Sequence, residues 1–130
     1  MKPLTLIPAH FAPHLLGLLR IVLALLLIPH GTAKLFGVPH MEMFAGVKLM
    51  SQLGVAGVIE IVGGALLLVG FQTRLVAFVL SGFMAFGYFL AHAQHGLLPL
   101  VNKGELAVVY CFVFLYLSAV GSGKFAVDKN

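Results

Sequence analysis

Four stretches of the chain are apolar on every side, and each approaches the ~20 residues a helix needs to cross the hydrocarbon of a bilayer. They cover residues 15–36, 51–70, 73–92 and 105–120. Pro13 stands just before the first stretch and Pro29 lies near its end, while Glu60 alone interrupts the second. Runs such as Leu23-Ala24-Leu25-Leu26-Leu27-Ile28 lack the two-residue alternation of a membrane β-strand. Between the first two stretches lies a polar connector, 37–50, with Pro39, His40, Glu42 and Lys48. The turn Phe71-Gln72-Thr73-Arg74 is so short that the second and third helices must be antiparallel neighbours. A third connector, 93–104, is held open by Gly96 and Pro99, and Gly121-Ser122-Gly123 stops the last helix. The pattern predicts an all-α protein: one integral-membrane domain, 1–130, folded as a four-helix transmembrane bundle.

Composition narrows the function classes. The chain is 61% hydrophobic and 9% charged, with a mean hydropathy of +1.08. Soluble domains are about half apolar and about a quarter charged, so this chain has too little polar surface to face water. A soluble enzyme, a nucleic-acid-binding domain and a disordered tail are excluded. The net charge of +4 is spread singly along the chain, with no basic cluster to grip nucleic acid. Cys111 is the lone cysteine and has no internal disulfide partner. The first residues show neither a cleaved signal peptide pattern nor a lipidation motif, so the spans themselves direct the chain to the lipid bilayer. Four spans put both termini on one side, together with Lys2, Arg74, Lys124 and Lys129. Lys34, Lys48 and Lys103 fall on the other side, and Arg20 adds to the first group. The positive-inside rule then places both termini in the cytoplasm.

Ionisable groups inside a span are costly and mark a pair, a cavity or a site. Helical spacing puts Arg20, Leu23, Leu27, His30 and Lys34 on one stripe of the first span. Ala56, Glu60, Gly63, Gly64 and Leu67 form a second stripe, small enough to let a helix approach closely. Ser81, Ala85, Tyr88 and His92 make a third, and Glu105, Val109, Phe112 and Tyr116 a fourth. All four are expected to face the bundle interior. With Arg20 and Glu60 both read as near mid-span, a buried Arg20–Glu60 ion pair is expected, either fixing helix register or serving a proton or ligand at mid-membrane.

His30, Lys34, His92 and Glu105 come from distant parts of the chain to the same end of the bundle, where His95 and Glu42 can join them. They either anchor helix ends at the headgroups or line a polar, ligand-binding pocket open to that face. A divalent metal on His92, His95 and Glu105 is a lesser reading, since no metal-ligand motif accompanies them. A haem between His30 and His92 is a smaller one still. The glycines of the second span read as close-packing positions, because neither a strand nor a P-loop lysine accompanies them.

Leu18-Leu19-Arg20, followed by Pro29-His30-Gly31-Thr32-Ala33-Lys34-Leu35-Phe36-Gly37, resembles the first-span signature of the DoxX family. So does the block from Glu60 through Gly63-Gly64 to Phe71-Gln72-Thr73-Arg74. His92 ending the third span, Gly104-Glu105-Leu106-Ala107 opening the fourth, and the tail Gly121-Ser122-Gly123-Lys124-Phe125 with Asp128 extend the likeness over nearly the whole chain. The resemblance implies a small four-helix protein of the bacterial inner membrane. It also implies a membrane subunit of a quinone-linked redox system, working with other membrane or redox proteins. The recurrent polar positions would be Arg20, His30, Lys34, Glu60, Arg74, His92 and Glu105. No flavin, haem or iron–sulfur motif accompanies them, so any cofactor would be a quinone held between helices, its head on His30, Lys34, His92 and Glu105. The rival readings are a ligand-free scaffold or assembly partner, and a small transporter subunit acting as a homo-oligomer.

Overall fold

The computed structural model describes residues 1–129. Within them the chain forms α1 (Ala12–Phe36), α2 (Gln52–Val69), α3 (Thr73–Gly87), the single turn α4 (Pro99–Asn102) and α5 (Glu105–Val120), with no strand. Pro13 fits the first turn of α1, where no N–H partner is needed, and Gly37 ends that helix in the left-handed conformation, φ 68°. Ser51 caps α2 by accepting the Gly54 N–H at 3.1 Å, and Gly70 closes that helix, again left-handed. α3 does not stop at Gly87. It relaxes into a π-helical turn, Tyr88–His92, and then a 3₁₀ turn, Ala93–His95.

Three helical stretches are long and apolar enough to cross a membrane: Ala9–Phe36, Gln52–Val69 and Thr73–His95. α5 is apolar but has 16 residues, or ~24 Å at ~1.5 Å per residue, short of the ~30 Å hydrocarbon core. The outer faces carry Leu25, Leu26, Phe78, Phe86 and Phe112, all more than half exposed. Lipid, not water, suits such a surface.

α1 packs on α2, α2 on α3 and α3 on α5, whereas α1 and α5 barely meet. All four long helices feed one core, including Leu23, Leu27, Leu67, Leu80, Phe114 and Leu117. α1 and α2 cross at glycines: a Cβ on Gly31 would lie 2.6 Å from the Gly57 carbonyl oxygen. That contact sets the register of the two helices, because only a missing side chain allows it.

The stripes divide. Those of α2 and α3 face inward, with Glu60, Gly63, Gly64, Leu67, Ser81 and Tyr88 buried. In α1 the buried line continues from Leu27 to Gly31, and His30 is exposed. At 100° per residue His30 is turned about 80° away from Arg20, so it falls off the edge of the packed face. In α5 the expected stripe faces outward: Val109, Phe112 and Tyr116 are 55%, 64% and 61% exposed, and Tyr110, Phe114 and Leu117 are buried instead. α5 is apolar around its whole circumference, so its periodicity selects no face.

Candidate functional site

The polar side chains form three centres, beginning with an ion pair inside the bundle. Lys34 Nζ lies 2.6 Å from Glu60 Oε1, and the two side chains are 10% and 6% exposed. Lys34 also sits over the Phe44 ring, 4.9 Å from its centroid. Tyr110 is buried on α5. The centre therefore draws on α1, α2 and the connector that carries Phe44.

The expected Arg20–Glu60 pair does not form. Arg20 Nε donates to the Leu67 carbonyl at 2.7 Å, seven residues past Glu60 and so ~10 Å further along α2. α1 is longer than α2 and overhangs it, so the middles of the two spans do not lie level, and Lys34 rather than Arg20 comes within reach of Glu60.

A second centre closes the end of α3. The Tyr88 hydroxyl donates to the Leu97 carbonyl at 2.7 Å, and Asn102 Nδ2 donates to Tyr88 Oη at 2.9 Å and to the Gly96 carbonyl at 2.7 Å. Asn102 Oδ1 accepts the Gly104 N–H at 2.8 Å. His92 Nδ1 lies 3.1 Å from the Asn102 carbonyl oxygen. A carbonyl can only accept, so Nδ1 carries the hydrogen and, in the neutral ring, Nε2 keeps its lone pair. The Tyr88 and His92 rings stack with centroids 6.2 Å apart. The π-turn rotates the end of α3 relative to a continuous α-helix, and such turns are frequent at functional positions.

The third centre, a clasp at the opposite end, is built on Arg20, which is fully buried. Beyond Leu67, its guanidinium donates to the carbonyls of Ser122 at 2.5 Å, Lys124 at 3.0 Å and Phe125 at 2.6 Å. These carbonyls belong to the segment after α5, which folds back across the bundle end. Lys124 N–H donates to the Pro13 carbonyl, Val127 N–H to that of Val69 and Asp128 N–H to that of Gly70. Asp128 caps α3 from afar, its two oxygens accepting the Gln72 N–H at 2.7 Å and the Thr73 N–H at 2.8 Å. Arg74, expected as a turn or interface residue, donates to the Ala119 and Val120 carbonyls at the end of α5.

Burial by itself would raise the Asp128 pKa. The Thr73 and Gln72 amides and the Arg20 charge outweigh it, and the carboxyl titrates below its ordinary 3.8. A carboxyl whose pKa is lower folded than unfolded adds stability above the unfolded value and loses it as pH falls through the folded value. Asp128→Asn should therefore lower the melting temperature at pH 7, and its gap to wild type should narrow below about pH 4. Melting curves across pH check this; a gap that stays constant in acid would assign the loss to something other than the carboxylate's charge.

The head cluster expected of His30, Lys34, His92 and Glu105 is not drawn together. Lys34 is engaged by Glu60 and His92 by Asn102, while His30 and Glu105 are exposed and make no hydrogen bond or ion pair among the described residues. No three His, Cys, Asp or Glu side chains among the described residues are placed to hold a metal, so the set His92, His95 and Glu105 is not assembled. Tyr110 and Asn102 were not singled out from the sequence. The phenol sits in an apolar run, and the amide in a loop whose fold local sequence does not encode.

Residues 15–93 match the family described as DoxX. A protein of Haemophilus influenzae, described as uncharacterized, is 46% identical over 125 residues, which cover 92% of each chain. No solved structure matches.

Proposed function

The chain belongs to the DoxX family, and from that premise we propose that it is the membrane subunit of a quinone-linked redox system in the bacterial inner membrane. α5 provides a fourth crossing, the termini lie in the cytoplasm, and electrons reach the quinone through partner proteins. The observation that carries this reading is the Lys34–Glu60 contact. A buried ion pair is weak evidence of stability, because apolar residues of similar size often serve as well or better. Retaining one at the depth of the spans favours a use for the charges, and a carboxylate beside an ammonium suits proton handling.

In this reading the quinone head meets His92, and the isoprenoid tail lies along the Phe-rich outer faces. Nε2 of His92 accepts a hydrogen bond from a quinol hydroxyl. Nδ1 is already committed to Asn102, which holds the ring in that tautomer. Binding of a quinol analogue to purified protein tests this. His92→Ala should weaken affinity by about tenfold, the equivalent of ~1.4 kcal/mol or one hydrogen bond. Equal affinity in the two proteins would remove the site.

A ligand-free scaffold is the second reading, favoured by the exposure of His30 and Glu105, which bond no other polar group among the described residues. It expects no quinol binding in either protein and partner capture that survives His92→Ala.

A further inference from the structure

The bundle is open along one seam. α1 and α5 barely meet, and between them lies a cleft of about 830 Å³ at the Arg20 end. Leu15, Leu16, Leu19 and Val120 form its walls. Along α1 it runs from Ala12 to Leu19, ~10 Å of helix. Two of its lining residues carry donor groups, the Lys124 ammonium and the Tyr116 hydroxyl. Lys124 is exposed, and neither group has a hydrogen bond or ion pair within the described residues.

Basic charge predominates around the cleft, whose lining also includes Asp128. Arg20, Arg74, Lys124 and Lys129 gather at this end, and Asp128 is the acid among them. Both Asp128 oxygens are taken by the Gln72 and Thr73 amides, so its charge is compensated where it sits. Glu42, Glu60 and Glu105 lie elsewhere. The chemistry that fits is an amphiphile with a chain to fill the seam, acceptor oxygens near the boundary for Tyr116, and an anionic head for Lys124. That describes a phospholipid with net negative charge. Basic residues beside a membrane attract such lipids.

We propose that the α1–α5 seam binds one anionic phospholipid from the leaflet at the Arg20 end. The acyl chain lies along Leu15, Leu16 and Leu19, an ester oxygen accepts from the Tyr116 hydroxyl, and the phosphate meets Lys124. This site is at the opposite end of the bundle from the quinone reading and stands without it.

Native mass spectrometry of the full chain in detergent, titrated with phosphatidylglycerol or phosphatidylcholine of the same acyl composition, tests the proposal. One phosphatidylglycerol per chain should remain bound, with at least a tenfold preference over phosphatidylcholine. Lys124→Glu, at an exposed side chain, should reduce that preference to threefold or less. Leu15→Trp, on an exposed wall of the cleft, should displace both lipids by tenfold or more while the melting temperature holds. Equal retention of the two lipids by wild type overturns the proposal, as does undiminished lipid binding by Leu15→Trp. Glycerol phosphate binding as tightly as the lipid would make this a free phosphate site. A delipidated dimer broken by Leu15→Trp would make a second copy the occupant. Either result overturns the proposal.

Discussion

Arg20→Met is expected to destabilise the protein by roughly 3–5 kcal/mol, measured by thermal unfolding in detergent, and to expose residues 121–129 to protease. Four carbonyls accept from this one guanidinium: Leu67, Ser122, Lys124 and Phe125. Methionine fills a similar volume but leaves those oxygens without a donor, and each buried unsatisfied group costs about 1–3 kcal/mol. Arg20→Lys should recover little. An ammonium keeps the charge but cannot spread its hydrogens across acceptors on two separate segments, as the planar fork does. A loss below about 1 kcal/mol, the scale of an ordinary surface change, would contradict the clasp.

The second large effect concerns Lys34 and Glu60. Lys34→Met or Glu60→Leu alone should each cost about 3–5 kcal/mol, because each strands a charge in a low-dielectric interior. The double substitution should recover most of that loss, since no charge is left to strand. Unfolding in nanodiscs, measured as a double-mutant cycle, reads both outcomes. Losses that simply add would mean the two groups do not act as a pair. In the proposed function the double variant folds yet no longer handles protons, so restored stability with full quinol-linked activity would leave the pair a packing device.

The apolar stretches and their punctuation made the helices readable. Pro13, Gly37, Ser51 and Gly70 mark ends that local chemistry determines, and the motif blocks carried the family. The polar contacts were harder, for three physical reasons. Arg20 and Glu60 each seemed central to a span, but register follows where Gly31 and Gly57 let two helices touch, and nothing local encodes that pairing. α5 carries apolar groups on all sides, so no period separates Tyr110 from Tyr116. Asp128 acts on amides 55 and 56 residues away, across a tail that reads as a loop. Tyr88 and His92 were visible as an inward stripe, whereas the π-turn beneath them and the Asn102 side chain that ties the loop down were not.

The partners of Arg20 also impose an order of events. The carbonyls of Ser122 and Phe125 are made 102 and 105 residues after the arginine that needs them. Throughout synthesis, after α1 has entered the bilayer and while later helices follow, that guanidinium must be solvated by headgroups, water or an insertion chaperone. Assembly of this end is thus a late step, completed when the segment after α5 folds back over the helices already in place. A ribosome stalled before Ser122 would leave a bundle with its latch undone, a species that quality-control proteases could recognise by the loose end.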